Sequence, residues 1–387
     1  MADALELTCE LIRRRSLTPD DAGCQALIGE RLEAAGFRME SLPAGDVNNL
    51  WATHGHGHPV LVLLGHTDVV PTGPVEQWKH DPFEPVIEDG VLYGRGAADM
   101  KSGLAVMVET AIEFVQQHPH HHGTLALLAT SDEEGEARNG TRHVVEVLME
   151  RGLHIDYCLV GEATSVERAG DEVRIGRRGS LSGHVTMSGT QGHVAYPDQA
   201  DNAAHRLLTA LAELVATEWP EGDKHFPPLS LQVSNVTSGT GASNVIPGHA
   251  AAHFNFRYPP PIEPGDLQTR VEDILARHAR EHGISWRDSG RPFLSPEGQL
   301  RTAVIKAVEA ELGGPPHLST GGGTSDARFI APTGAEIIEL GPPRDSIHKV
   351  DEHVHLSDIE TLARLYGRII ESLMTHPGRI SELIHHR

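Results

Sequence analysis

At 387 residues and 39% hydrophobic content, the chain can bury a sizeable core and is long enough for two domains. Its 54 acidic residues against 32 basic ones leave a formal charge of −22, which argues against nucleic acid or an anionic membrane as a partner held by overall charge. Cys9, Cys24 and Cys158 are odd in number and form no CxxC, so the expectation is a reducing compartment rather than a disulfide framework.

In chain order, residues 1–37 read as a pair of charged amphipathic helices rather than a signal peptide, because no apolar core precedes a small-residue cleavage site. No apolar stretch approaches the ~20 residues that span a bilayer, and a soluble, cytoplasmic protein is expected. Short apolar runs follow, each stopping at metal-binding side chains. VLVLLGHTD stops at His66 and Asp68, TLALLATSDEEG at Glu133 and Glu134, YCLVGEAT at Glu162, and EIIELGPPRDSIHK at His348. Runs this long, rich in Val, Leu and Ile, read as buried strands of a largely parallel sheet, and ligands of such sheets gather beyond the strands' carboxyl ends. Asp99, in LYGRGAADMKSG, opens a long helical pattern.

Between about residues 178 and 293 the rhythm changes to strand, helix, strand, strand, helix, strand. That is the order of a ferredoxin-like α+β sandwich, a fold with a sheet edge free for pairing. One α/β domain, 1–177 with 294–387, is therefore interrupted by another, 178–293. The histidine clusters at His54–Pro59 and His118–Gly123, and the pair His385 and His386, are expected to be solvated loops or ends, since no strand end or partner carboxylate fixes them.

The strand ends together offer ligands for two metal ions. His66 is presented by a strand end, and Asp68, two residues on, is expected to hold the ring's second nitrogen with its carboxylate; alone, this HxD reads equally as an ordinary loop histidine. Asp99 could bridge two cations ~3.5–4 Å apart through its two oxygens, or simply cap the helix. Glu133 and Glu134, neighbours on an extended segment, are expected to point opposite ways, one as ligand and one as proton shuttle; a solvated turn is the plainer alternative. Glu162 and His348 gain weight only from the joint pattern. Arg177, Arg178 and Arg257 could pair a substrate carboxylate or serve as structural ion pairs. The loops GGGTSD and GTGASN lack the spacing of a nucleotide phosphate loop.

The stretches GHTDVVP, WKHDPFEP, LYGRGAADMKSG, SDEEGEARNGT, GEAT and IHKVDE resemble the aminoacylase, carboxypeptidase and deacylase superfamily of di-zinc amidohydrolases. IGRRGSLSG, GHVAYP and GGGTSDARFI are similar to its desuccinylase branch. The resemblance spans nearly the whole chain. It implies a di-zinc exopeptidase-like catalytic domain, with a mostly parallel mixed sheet between helices, interrupted by a lid and dimerisation domain. It implies one zinc on His66, Asp99 and Glu162 and another on Asp99, Glu134 and His348, with cobalt able to substitute. Glu133 becomes the general base, Asp68 a further catalytic residue, and His193 an oxyanion donor to the opposite subunit of a homodimer. Ser180, Tyr196, Asn244, Gly323 and Thr324 join the arginines as substrate contacts, and a cis peptide is implied between Asp99 and Met100.

The implied reaction splits N-succinyl-LL-2,6-diaminoheptanedioate into succinate and LL-2,6-diaminopimelate, in diaminopimelate and lysine biosynthesis. An acetylornithine deacetylase-like enzyme or a dipeptidase of the same superfamily is the alternative. A non-catalytic metal-binding dimeric module, the reading from another class, fits poorly with both Glu133 and Asp99 present. One departure stands out: Arg344 occupies the place of an asparagine four residues before the last histidine ligand, which leaves the amine half of the substrate open.

Overall fold

The computed structural model describes residues 2–279 and 281–375; His385 and His386 lie outside them. The chain forms two compact units, Met1–Gly176 with Ser295–Ser319 and Ser325–Arg387, and Arg177–Leu294 with Thr320–Thr324. The sequence reading had put 320–324 in the first domain. These residues go with the second because the Arg177 guanidinium donates to the Gly321 and Gly323 carbonyls, at 3.4 and 3.3 Å, and the Thr320 hydroxyl donates to the His225 carbonyl.

The first unit is built on an eight-stranded mixed sheet. At its centre Val60–His66 runs parallel to Gly123–Thr130 on one side and Tyr157–Val160 on the other, and Glu336–Glu339 extends it in parallel beyond Tyr157–Val160. Val60–His66 and Gly123–Thr130 are buried along their whole length, which is why they read as continuous apolar runs instead of alternating ones. Helices cover the sheet. Leu356–Met374 buries Ile359, Leu362, Leu365, Tyr366, Ile369, Ile370 and Leu373, the three-and-four spacing of one helical face, and its Tyr366 hydroxyl donates to the Leu340 carbonyl at 2.6 Å. The amino-terminal helix pair forms as Ala2–Ile12 and Cys24–Ala34.

Two histidine readings need correction. His54 and His56 end the strand Asn49–His56, which pairs antiparallel with Gly123–Thr130 in the register His56↔Gly123. That register carries the turn at 118–122 alongside, so His121 is half-buried, with its Nε2 2.8 Å from His54 Nδ1. The two rings also pack on Phe37 and Phe114. A paired strand end with an aromatic neighbour, rather than open solvent, is their environment.

In the second unit an antiparallel sheet runs in the order Ser230–Ser238, His249–Tyr258, Gly179–Ser188, His282–Gly290. The helices Ala203–Ala216 and Pro264–His278 pack on it. Asn202 caps the first of these, its side chain accepting from the Ala204 and His205 amides. The edge strand Ser230–Ser238 is mostly exposed along its length. Among the described residues no helix is long and apolar enough to cross a membrane.

Candidate metal centre

Four parallel strands of the first unit deliver acids or imidazoles at the same edge of the sheet. His66 ends Val60–His66, Glu133 and Glu134 follow Gly123–Thr130, Glu162 follows Tyr157–Val160, and His348 lies on the loop after Glu336–Glu339. Close packing behind the ligands depends on glycine. A Cβ on Gly65 or on Gly161, the residues immediately before His66 and Glu162, would fall 2.7 Å from the Met100 methyl carbon. Met100 fills that space, and the Asp99–Met100 peptide is cis, as the resemblance implied.

Asp99 stands between the two histidines. Its Oδ1 is 3.2 Å from His66 Nε2 and its Oδ2 is 3.3 Å from His348 Nε2. Glu162 Oε1 lies 3.7 Å from the same His66 nitrogen, and Glu134 Oε1 2.9 Å from the same His348 nitrogen. The sets His66, Asp99, Glu162 and His348, Asp99, Glu134 thus meet at the one carboxylate. The alternative of Asp99 as a helix cap does not hold, because Ser102–Gln117 has no side-chain cap. His348 adopts a left-handed backbone, φ 60°, a conformation costly for a side chain with a Cβ and found where function imposes it.

The adjacent glutamates do not diverge as an extended segment would make them. Residues 133–136 form a turn, closed by Asp132, whose carboxylate accepts from the Arg138 and Asn139 amides at 2.8 and 3.0 Å. Both glutamates therefore reach inward. His66, Glu133 and Glu162 offer ligand atoms within 4.8 Å of one another, as do His66, Asp99 and Glu134.

Asp68 also takes a different part from the one expected. The backbone carbonyl of Asp68, not its carboxylate, meets His66 Nδ1, at 2.9 Å, while the carboxylate is 3.6 Å away. The carboxylate instead accepts from the Glu133 and Glu134 amides at 3.4 and 3.1 Å. A buried acid with two backbone donors in reach satisfies them first.

Two residues that sequence reasoning passed over hold Asp99 in place. Buried Glu352 accepts from the Ala98 and Asp99 amides, both at 3.0 Å, and pairs with buried Arg95 at 2.6 Å. Glu352 was present in the quoted IHKVDE stretch, but nothing in its neighbours marks it.

The electrostatics are those of a site made for cations. Hydrogen bonds with Asp99 and Glu134 raise the His348 imidazole to about 10. Burial works against charge on His66, yet the Asp68 and Asp99 contacts keep it well above the usual range. Burial pushes the Glu133 carboxyl far up, helped by Glu162 and Asp326. In the chain alone, the crowded carboxylates make both imidazoles hold a proton more tightly. Divalent ions would displace those protons and take over that charge. The donor set of nitrogen and oxygen atoms fits such ions.

The remaining candidate residues belong to the second unit. His193 lies on the two-residue strand Gly192–His193, paired with Val245–Ile246, and is exposed. Its Nδ1 accepts from the Ala195 amide at 3.1 Å, and its ring lies 5.7 Å from that of exposed Tyr196. The carbonyl of Asn244 accepts from the Val194 amide at 3.1 Å. Arg257 is in register with Ser180 and Ser230 on the flanking strands, and Arg178 Nη1 lies 3.4 Å from the Ser230 hydroxyl. Ser180 accepts from Asn255 at 3.1 Å. Gly323 and Thr324 sit on the segment that Arg177 holds. Arg344, in the first unit, faces the loop after Glu162.

A model of peptidase family M20/M25/M40 matches residues 62–372. The chain belongs to this family. Over 374 residues it is 58% identical to a succinyl-diaminopimelate desuccinylase of Xanthomonas euvesicatoria, covering 97% of this chain and 100% of that one. A protein of the same name from Stenotrophomonas maltophilia is 56% identical over 375 residues, again covering 97% of this chain and 100% of the other. Among solved M20 structures, the metallo-carboxypeptidase Sso-CP2 of Sulfolobus solfataricus superposes with a TM-score of 0.81 at 17% identity, covering 96% of this chain and 99% of that one. The dinuclear metal-binding peptidase YXEP of Bacillus subtilis gives 0.70 at 15% identity, covering 95% and 96%. At such identities the likeness is one of fold.

Proposed function

We propose that this M20 protein is a two-metal amide hydrolase that converts N-succinyl-LL-2,6-diaminoheptanedioate and water to succinate and LL-2,6-diaminopimelate, in diaminopimelate and lysine biosynthesis. The observation that carries the hydrolase reading is Asp99 presenting one carboxylate oxygen to each of two histidines, with half-buried Glu133 beside them. The substrate rests on the 58% identity, over 97% of the chain, to a relative named for desuccinylation. That identity favours the succinylated compound over an acetylornithine or dipeptide substrate. A non-catalytic module would have no need of Glu133.

His66, Asp99 and Glu162 would hold one ion and Asp99, Glu134 and His348 the other, zinc at both by preference and cobalt in its place on substitution. When bound, the metal pair supplies the Lewis acidity that makes water nucleophilic and polarises the amide carbonyl. Glu133, whose carboxylate lies within 4.8 Å of the His66 and Glu162 ligand atoms, takes a proton from the attacking water and returns it to the departing amine. Asp68 fixes the turn that aims Glu133. His193, supplied by a second copy in a homodimer, donates to the developing oxyanion. Arg177, Arg178, Arg257, Ser180, Tyr196, Asn244, Gly323 and Thr324 contact the substrate, the arginines suiting its succinyl carboxylate. The reaction suits a reducing cytoplasm, as do the free Cys9, Cys24 and Cys158, and neither nucleic acid nor a membrane takes part.

The test is hydrolysis of N-succinyl-LL-diaminopimelate beside N-acetylornithine, by metal-free protein reloaded with zero, one or two equivalents of zinc. Turnover that rises with metal and prefers the succinylated compound is expected. Restoration on the acetylated compound alone refutes the substrate, and no amide hydrolysis despite bound metal refutes the enzyme.

A further inference from the structure

Two of the metal-facing side chains, Glu162 and His348, come from loops, and those loops are laced together. The Ser165 amide donates to the Pro342 carbonyl at 3.2 Å, and the Arg344 amide donates to the Ser165 carbonyl at 3.1 Å. The Ser165 hydroxyl donates to the Gly341 carbonyl at 2.7 Å, and the Gly341 amide to the Thr164 hydroxyl at 3.2 Å. A Cβ on Gly341 would stand 2.2 Å from the Glu162 carbonyl oxygen, so the two backbones touch at the ligand itself.

Across this seam lies the Arg344 guanidinium. Its Nη1 donates to the carbonyls of Thr164 and Ser165, the latter at 3.1 Å. The same nitrogen lies 3.2 Å from Glu172 Oε1. Glu172 is itself buried and anchored, by Arg174 on one oxygen and by His317 Nδ1 at 2.8 Å on the other. Thr164 closes the circuit, its hydroxyl donating to the Glu172 carbonyl at 3.0 Å. Through this one nitrogen the guanidinium ties two backbone carbonyls to a fixed anion.

We infer that Arg344 is a positioning residue of the metal centre: anchored on Glu172, it locks the loop carrying Glu162 to the loop carrying His348 and so fixes the spacing of the two metal positions. The inference rests on the ligand assignment proposed above. It gives the departure at this position a role in metal geometry, where the sequence alone left the amine half of the substrate open.

Metal-free wild type, R344A and R344K are titrated with Co2+, followed by visible absorption, and with Zn2+ against a chromophoric chelator. Melting temperatures are taken with and without metal. Wild type is expected to take two equivalents. R344A should bind at least one ion about 10–100-fold more weakly, the range for losing a partner behind a ligand, with a shifted cobalt spectrum. R344K, which keeps a donor but not the fork, should fall between. The metal-free melting temperatures should stay close while the rise on adding metal shrinks. Wild-type affinity and spectrum in R344A, with KM raised tenfold or more, overturn the inference in favour of a substrate contact. Equal drops in melting temperature with and without metal, at unchanged affinity, overturn it in favour of a brace that only stabilises the fold. Should R344A not fold, R344K decides on the same criteria. Failure of the wild type to take two equivalents refutes the ligand assignment instead.

Discussion

Replacing Glu352 by glutamine tests the support under the bridging aspartate. Glu352 and Arg95 are each 1% exposed, and their contact at 2.6 Å is the ion pair that keeps the guanidinium charge tolerable in the interior. In E352Q the side-chain oxygen can still accept from the Ala98 and Asp99 amides, so the hydrogen bonds there survive while the charge does not. A buried cation stripped of its counter-ion costs about 3–5 kcal/mol. R95M, which strands the carboxylate, is expected to cost a similar amount. The double variant R95M/E352Q removes both charges and keeps the amide acceptor, so its cost should fall below the sum of the singles by about 2–3 kcal/mol. The assay is urea unfolding of the metal-free protein, read by hydrogen exchange in peptides of the first unit so that the second does not mix into the transition. E352Q within about 1 kcal/mol of wild type, or strict additivity in the double variant, would refute the reasoning.

The other expectations are shorter. E133Q should keep its metal and lose about 100- to 10,000-fold in kcat, the contribution of a positioned general base; metal analysis beside steady-state kinetics checks both halves. D68A leaves the part-buried Glu133 and Glu134 amides without their acceptor and should cost about 1–2 kcal/mol in all, measured by denaturation, together with turnover. For the metal-free protein, the folded state keeps the His348 proton up to about 10 against a usual value of 6.5. The stability this proton lends is therefore full below about 6.5 and lost as pH rises toward 10. Melting in chelator across that window should show a decline, modest because the side chain is 50% exposed, and a rise would contradict the assignment. H193A should lower kcat and leave metal stoichiometry unchanged, by titration.

The positions of the ligands were readable because parallel strands announce themselves as apolar runs and their ends share one edge. His66, Glu162 and His348 could be placed at that edge in this way, though their weight as ligands came only from the joint pattern and the resemblance. What failed was local geometry after the strand end. The run TLALLATSDEEG does not disclose that residues 133–136 turn, since the closing bonds come from Asp132 to amides 6 and 7 residues on. Glu352 failed for a different reason: its partners lie 253 and 254 residues earlier, and no periodicity spans that interval. His121 was misjudged because its neighbour is His54, on a strand whose register only the sheet decides. Arg344 could be flagged as unusual, but its acceptors are mostly backbone carbonyls, which every residue carries.

Insertion of one unit inside the other has a consequence for the order in which a growing chain can become functional. When the ribosome has released residue 294, the inserted sheet already owns all its strands, and domains fold as units during synthesis. The outer sheet at that moment still lacks Glu336–Glu339, which must pair with Tyr157–Val160, and with it the loop that brings His348. A nascent chain has His66, Asp99 and Glu162 early, but His348 arrives only with the loop after Glu336–Glu339. Formation of the proposed metal pair is thus tied to synthesis past His348, and a product that stopped before that residue would lack one of the proposed ligands.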